Sequence, residues 1–98
     1  MLTIEQYDLS CLAEELAEIQ QMIGKAIKHG LQDCNPENGE SNFDAIQRET
    51  FDAVYYMKRL NIKSQWSSQV EFNARDSKYE KWLKYSQENG AVEPTNDI

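Results

Sequence analysis

The sequence predicts an all-α protein, a helical hairpin followed by a C-terminal helix. Three observations carry this. Apolar residues recur at three- and four-residue spacing through two long segments, and strand-like alternation is absent. The only two prolines, Pro36 and Pro94, lie outside the periodic segments. Between the two segments stands GLQDCNPENGES, whose glycines, asparagines and proline read as a loop.

The first helix is expected from near Thr3 to about Lys28, with Gly30 placed as a C-terminal stop. Its stripe is Leu9, Leu12, Leu16, Ile19 and Ile23, continued by Ala26. A second helix starts at Ser41 or Asn42, either of which can cap it. Its stripe is Phe43, Ile46, Ala53, Val54, Met57 and Leu60, and the pattern breaks around Asn61–Ser64. A third helix, less regular, is expected from roughly Trp66 to Gln87, with Phe72, Tyr79 and Leu83 on one face and Trp82 beside them. Gly90 and Pro94 end it, and the last residues, VEPTNDI, read as a frayed tail.

A chain of 98 residues points to a single domain over 1–98 with a thin core, for which oligomerisation is a common remedy. The formal net charge of −7 opposes binding to a nucleic-acid polymer or an anionic membrane surface, both of which need basic patches. It also opposes a phosphate ligand unless a cation lies between protein and phosphate. No apolar run approaches the length of a bilayer span, and no signal-peptide pattern precedes the first helix. Cys11 and Cys34 lack metal-ligand spacing and read as free thiols of a reducing compartment, the cytoplasm.

The stretch Glu14-Glu15-Leu16-Ala17-Glu18 crowds three carboxylates into an otherwise apolar-faced helix. At about 100° per residue, Cys11, Glu15, Glu18, Met22, Lys25 and His29 fall on one line along the shoulder of the stripe, and Glu14 points away. The second helix repeats this with Ala45, Glu49, Asp52, Tyr56 and Arg59. Packed antiparallel, the two helices bring Glu15, Glu18, Glu49 and Asp52 together, and four ionised carboxylates need compensation. On pattern alone two readings fit: solvated faces with loose ion pairs, or a site for a hard divalent cation such as Mg²⁺. Lys25 and Arg59 fit either phosphate contacts or snorkelling side chains, and Tyr56 either a base-stacking ring or a packing one.

EELAEIQQMIGKAIKHGL, followed by FDAIQRETFDAVYYMKRL, resembles the MazG-like branch of the all-α nucleoside triphosphate pyrophosphohydrolases. That family carries E-E-x-x-E on one helix and E-x-x-D on the next. Here these are Glu14-Glu15-Leu16-Ala17-Glu18 and Glu49-Thr50-Phe51-Asp52. The KAIKHGL ending of the first helix and the tail KYEKWLKYSQENG are similar to short members carried by phages and prophages. The resemblance spans about Leu9 to Gly90. It implies a homodimer or homotetramer built as a four-helix-bundle-like assembly, with Glu15, Glu18, Glu49 and Asp52 holding Mg²⁺, for which Mn²⁺ substitutes. It also implies hydrolysis of a (deoxy)nucleoside triphosphate, non-standard ones included, to the monophosphate and pyrophosphate. Glu15 or Glu18 would then orient or deprotonate water, and Lys25, Arg59 and Tyr56 would hold the nucleotide. Family members often have a small or polar residue before the motif Asp, whereas this chain has Phe51, which bears on the shape of the nucleotide pocket. A phosphoribosyl-ATP substrate and a non-catalytic acidic helical interaction module are the competing readings.

Overall fold

In the computed structural model, which describes residues 1–62 and 69–95, the chain forms three helices: α1 (Ile4–His29), α2 (Asn42–Arg59) and α3 (Gln69–Glu88). Among the described residues there is no strand, only an isolated bridge between Cys34 and Ser41. The chain separates into two compact units, Met1–Lys63 and Ser64–Ile98.

Helix ends are set by local chemistry. Thr3 caps α1 through a reciprocal box: its hydroxyl accepts from the Gln6 amide at 3.0 Å, and the Gln6 side chain accepts from the Thr3 amide at 2.9 Å. Ser41 caps α2 by accepting from the Asp44 amide. Gly30, at φ 99°, ends α1 in a conformation closed to most L-residues. Its carbonyl accepts from Asn42 Nδ2 at 2.9 Å, so the start of α2 is tied to the end of α1. Backbone bonds from Asn42 to Asp33 and from Phe43 to Leu31 complete the link. At the far end of α2, Asn61 takes a left-handed φ of 57°. Its amide bonds Lys58, and the Ile62 amide bonds Met57, a Schellman stop with asparagine in the place glycine usually holds.

Helices α1 and α2 pack antiparallel. The early Asp8 meets the late Arg59 at 3.1 Å, while Met22 and Lys25 of α1 share a cleft with Ala45 and Arg48 of α2. The buried positions of α2 include Ala45, Glu49 and Ala53, spaced by four, and on α1 Leu12 is buried with Ile19 and Ala26 half-buried. The α2 face toward its partner therefore runs between the predicted stripe and its shoulder: Ala53 comes from the stripe, whose Ile46, Val54, Met57 and Leu60 are half-buried, and Ala45 and Glu49 come from the shoulder, while Phe43 of the stripe and Asp52 and Arg59 of the shoulder are exposed. The reason is size: Ala45 and Ala53 let the backbones approach, whereas Phe43 and Phe51 remain 47% and 69% exposed.

The α1 stripe is covered on one side only. Leu12, Ile19 and Ala26 turn inward, but Leu9, Leu16 and Ile23 keep 44–48% of their surface exposed. The two sets each repeat every seven residues, the pattern of a seam that serves more than one neighbour.

In the second unit α3 carries an ion pair between Arg75 and Glu71 and an edge-to-face contact of Trp82 with Tyr85 at 6.0 Å. Trp66, the expected start of this helix, lies outside the described residues. Gly90 stops α3 with a second Schellman arrangement, Gly90 to Gln87 and Ala91 to Ser86. Beyond α3, Gln87 Nε2 donates to the Glu93 carbonyl at 2.9 Å and to the Thr95 hydroxyl at 3.0 Å. No helix among the described residues is long and apolar enough to cross a membrane.

Ala53 is 2% exposed at the α1–α2 contact. Enlarging it forces the helices apart, so Ala53→Leu should lower the unfolding free energy by about 2 kcal/mol in urea titrations. A neutral result would mean that close approach of the backbones is not what holds the hairpin.

Candidate metal centre

Glu15 and Glu18 lie one turn apart near the middle of α1, and Glu49 stands at the same level of α2. One carboxylate oxygen from each lies within 4.8 Å of the other two. Glu49 is buried and Glu15 and Glu18 are half-buried, whereas Glu14 is exposed, as the helical wheel predicts. The fourth predicted ligand, Asp52, is exposed and stands outside this group of three. Three residues along a helix is about 300°, so Asp52 is turned some 60° from Glu49, on a side chain one carbon shorter. Its charge still reaches Glu15, adding to the forces that disfavour ionisation there.

Crowding divides the protons unequally. The Glu15 carboxyl is pushed up to about 7, first by a hydrogen bond with Glu49, then by burial and by the charges of Glu18, Glu49 and Asp52. Two ionised carboxylates cannot hydrogen-bond, so that bond exists only when Glu15 carries the proton and donates it. Glu18 is raised for the same first reason, its hydrogen bond with Glu49. Glu49 is lowered, chiefly as the acceptor from Glu15 and then from Glu18 and Arg48, against an opposing effect of burial.

Glu49 has a further partner. Arg48 Nη1 donates to Glu49 Oε1 at 2.8 Å, while Nε and Nη2 of the same guanidinium grip the two oxygens of Glu40 at 3.1 and 3.0 Å. Sequence periodicity gave Arg48 no role, because neighbours along a helix do not normally face each other. The arginine reaches back only because Glu40, just before the α2 cap, pulls its far end into place. A lone arginine beside an acidic motif was the available signal.

The other predicted site residues divide between two places. Lys25 lines a cleft of about 410 Å³ with Met22, His29, Glu40 and Arg48, and Arg48 joins that cleft to Glu49. Arg59 is at the opposite end of the hairpin, where its Nε bonds the buried Asp8 at 3.1 Å. Its position is explained by that partner, which the wheel did not foresee. Tyr56 is half-buried beside Cys11, whose hydrogen bond raises the phenol above its ordinary range, and Tyr55 stacks on it at 5.3 Å. Both cysteines are free thiols.

The residues fit a hard divalent cation. All donors are carboxylate oxygens, the ligand type Mg²⁺ prefers. Glu15 Oε2 is buried with no hydrogen-bond donor facing it, a costly state that a cation would relieve. Oxygens bound to one Mg²⁺ sit at most about 4.2 Å apart, so the three arms need only a small inward turn. No protein-family model, curated protein or solved structure matches the chain, and the family resemblance stands on its motifs.

Because Glu15 is raised from 4.5 to about 7 in the folded protein, folding takes up a proton between these values, and the stability tied to Glu15 falls as pH rises through that window. The opposite shift of Glu49 acts below the ordinary carboxylate range, outside the window. In chelator, the urea midpoints of the parent and Glu15→Gln should lie close together at about pH 5. By about pH 8 the variant should be the more stable. A gap that stays constant with pH would show that Glu15 ionises unperturbed.

Proposed function

We propose that the protein is a Mg²⁺-dependent nucleoside triphosphate pyrophosphohydrolase, cleaving between the α- and β-phosphates to release pyrophosphate. The observation that carries this is the convergence of Glu15, Glu18 and Glu49 from two different helices onto one partly buried point. Loose surface ion pairing gives no reason for three acids to meet where one must hold a proton to remain.

In this proposal Glu15, Glu18 and Glu49 would hold the cation, with Asp52 as the fourth ligand. A divalent cation so held supplies charge neutralisation at phosphate oxygens and acidifies water. The protein's own share is positioning, which dominates phosphoryl transfer. Glu15 and Glu18 orient the attacking water and take its proton. Lys25, on the same α1 line and exposed in the cleft, receives a phosphate oxygen. Tyr56 lies beyond Glu15, with one ring face already covered by Tyr55. Arg59 stays with Asp8 and is left out of the nucleotide contacts.

A panel of ribo-, deoxyribo- and modified nucleoside triphosphates, with phosphoribosyl-ATP among them, should yield pyrophosphate from at least one member only when Mg²⁺ or Mn²⁺ is present. Glu15→Gln, Glu18→Gln, Glu49→Gln and Asp52→Asn should each lower kcat/KM by about a hundredfold or more, and Glu14→Gln by less than about threefold. A folded protein that releases no pyrophosphate from any member would instead be an acidic helical interaction module.

The active form in this proposal is a homodimer or homotetramer in which a second copy covers Leu9, Leu16 and Ile23, making a four-helix-bundle-like core. Sedimentation at micromolar concentration should give at least twice the 11.4 kDa chain mass. Leu16→Glu should shift it toward monomer. A monomer at every concentration would end this part of the proposal.

A further inference from the structure

Arg48 holds two acids at once. Its Nε and Nη2 form a fork on both oxygens of Glu40, at 3.1 and 3.0 Å, and its Nη1 bonds Glu49 Oε1 at 2.8 Å. Glu40 lies outside the acidic cluster, before the α2 cap, and has no cation partner among the described residues other than Arg48. The Arg48 side chain is nevertheless 54% exposed and lines the cleft that Lys25 shares. A guanidinium has five N–H donors, so these bonds leave others to meet an anion in the cleft. The bond to Glu49 also uses an oxygen of the very carboxylate that a divalent cation needs.

We infer that Arg48 is a built-in counter-ion of the acidic centre that yields Glu49 to a divalent cation and transfers its Nη1 to the polyphosphate of the bound substrate, pivoting on the Glu40 fork. The inference rests on the function proposed above and adds a residue to it. The fork is the pivot because two parallel charge-assisted bonds fix the plane of the guanidinium, while the single bond to Glu49 can be exchanged for another anion. Without substrate, Arg48 offsets part of the carboxylate repulsion and competes with the cation. With substrate, the phosphate replaces Glu49 as its partner at no loss of a charged bond. Cation and polyphosphate therefore favour each other's binding, and cation alone binds weakly.

The two halves predict opposite signs for one substitution. In calorimetry without nucleotide, Arg48→Gln should bind Mn²⁺ at least threefold more tightly than the parent, because a competing positive charge has gone. With Mg²⁺ saturating, the same variant should bind inorganic tripolyphosphate about tenfold more weakly or worse, having lost a charge-assisted contact. Arg48→Lys keeps a cation beside Glu49 and guards against loss of the fold. Its tripolyphosphate affinity should lie between those of the parent and the Gln variant. If Arg48 only supports the architecture, both affinities fall together in Arg48→Gln, and the inference is overturned. Unchanged affinities for both probes overturn it equally, while leaving the metal centre standing. If neither parent nor variant binds Mn²⁺, the metal centre itself fails, and this inference with it.

Discussion

The burial of Glu49 between two alanines on the face that α2 turns to α1 is the constraint on which the rest of this hairpin depends. Ala45 and Ala53 are small enough for the helices to come close, and Glu49 sits between them at 7% exposure. A carboxylate in that position cannot stay ionised without help. Help comes from both sides, as a proton shared with Glu15 and as a guanidinium from Arg48. Each helper then needs its own support. Glu15 is raised toward neutrality to keep its proton, and Arg48 is fixed by Glu40. The electrostatics of the centre thus follow from a packing decision, the placing of small residues one turn before and after an acid.

The same logic recurs at the other end of the hairpin with the opposite outcome. Asp8 is as buried as Glu49, at 5%, but its neighbour is an arginine from the last turn of α2, and among the described residues it belongs to no group of acids that could hold a cation. One buried acid with one cation is a completed pair, and the pair locks the helix ends in register. Three acids with one arginine are an incomplete set, with a buried oxygen still lacking a partner. The contrast separates an ion pair that closes a structure from a cluster that leaves room for a ligand.

Hydrophobic burial in the hairpin is slight. Leu12, Ala45 and Ala53 are the buried apolar residues described, while Leu9, Leu16, Ile23, Phe43 and Phe51 stay substantially exposed. Two helices have only one mutual face, so a stripe with two seven-residue repeats cannot be covered by a single antiparallel partner. The acidic centre lies on the covered side of that stripe, and the apolar side remains a surface on which a second chain would find leucines and an isoleucine at regular spacing.

Much of this was legible in the chain. The caps at Thr3 and Ser41 and the stops at Gly30 and Gly90 depend on residues within a few positions of one another, so the helices follow from local chemistry. The acids Glu15, Glu18 and Glu49 were readable too, because helical periodicity states which side chains share a line and successive helices joined by a loop usually pack antiparallel. What periodicity cannot state is how far apart two lines lie once packed. The distance depends on side-chain size at the contact, and which part of a line faces the partner depends on it too: Glu49, between Ala45 and Ala53, is an interface residue, while Asp52, turned some 60° from it, is exposed. Nor can it state which acid an arginine will choose. Arg59 meets Asp8, 51 residues away, and Arg48 bridges Glu40 and Glu49. Those choices belong to the tertiary structure, because a charged bond forms between groups that the whole fold brings within about 3 Å, and no local pattern sets that distance.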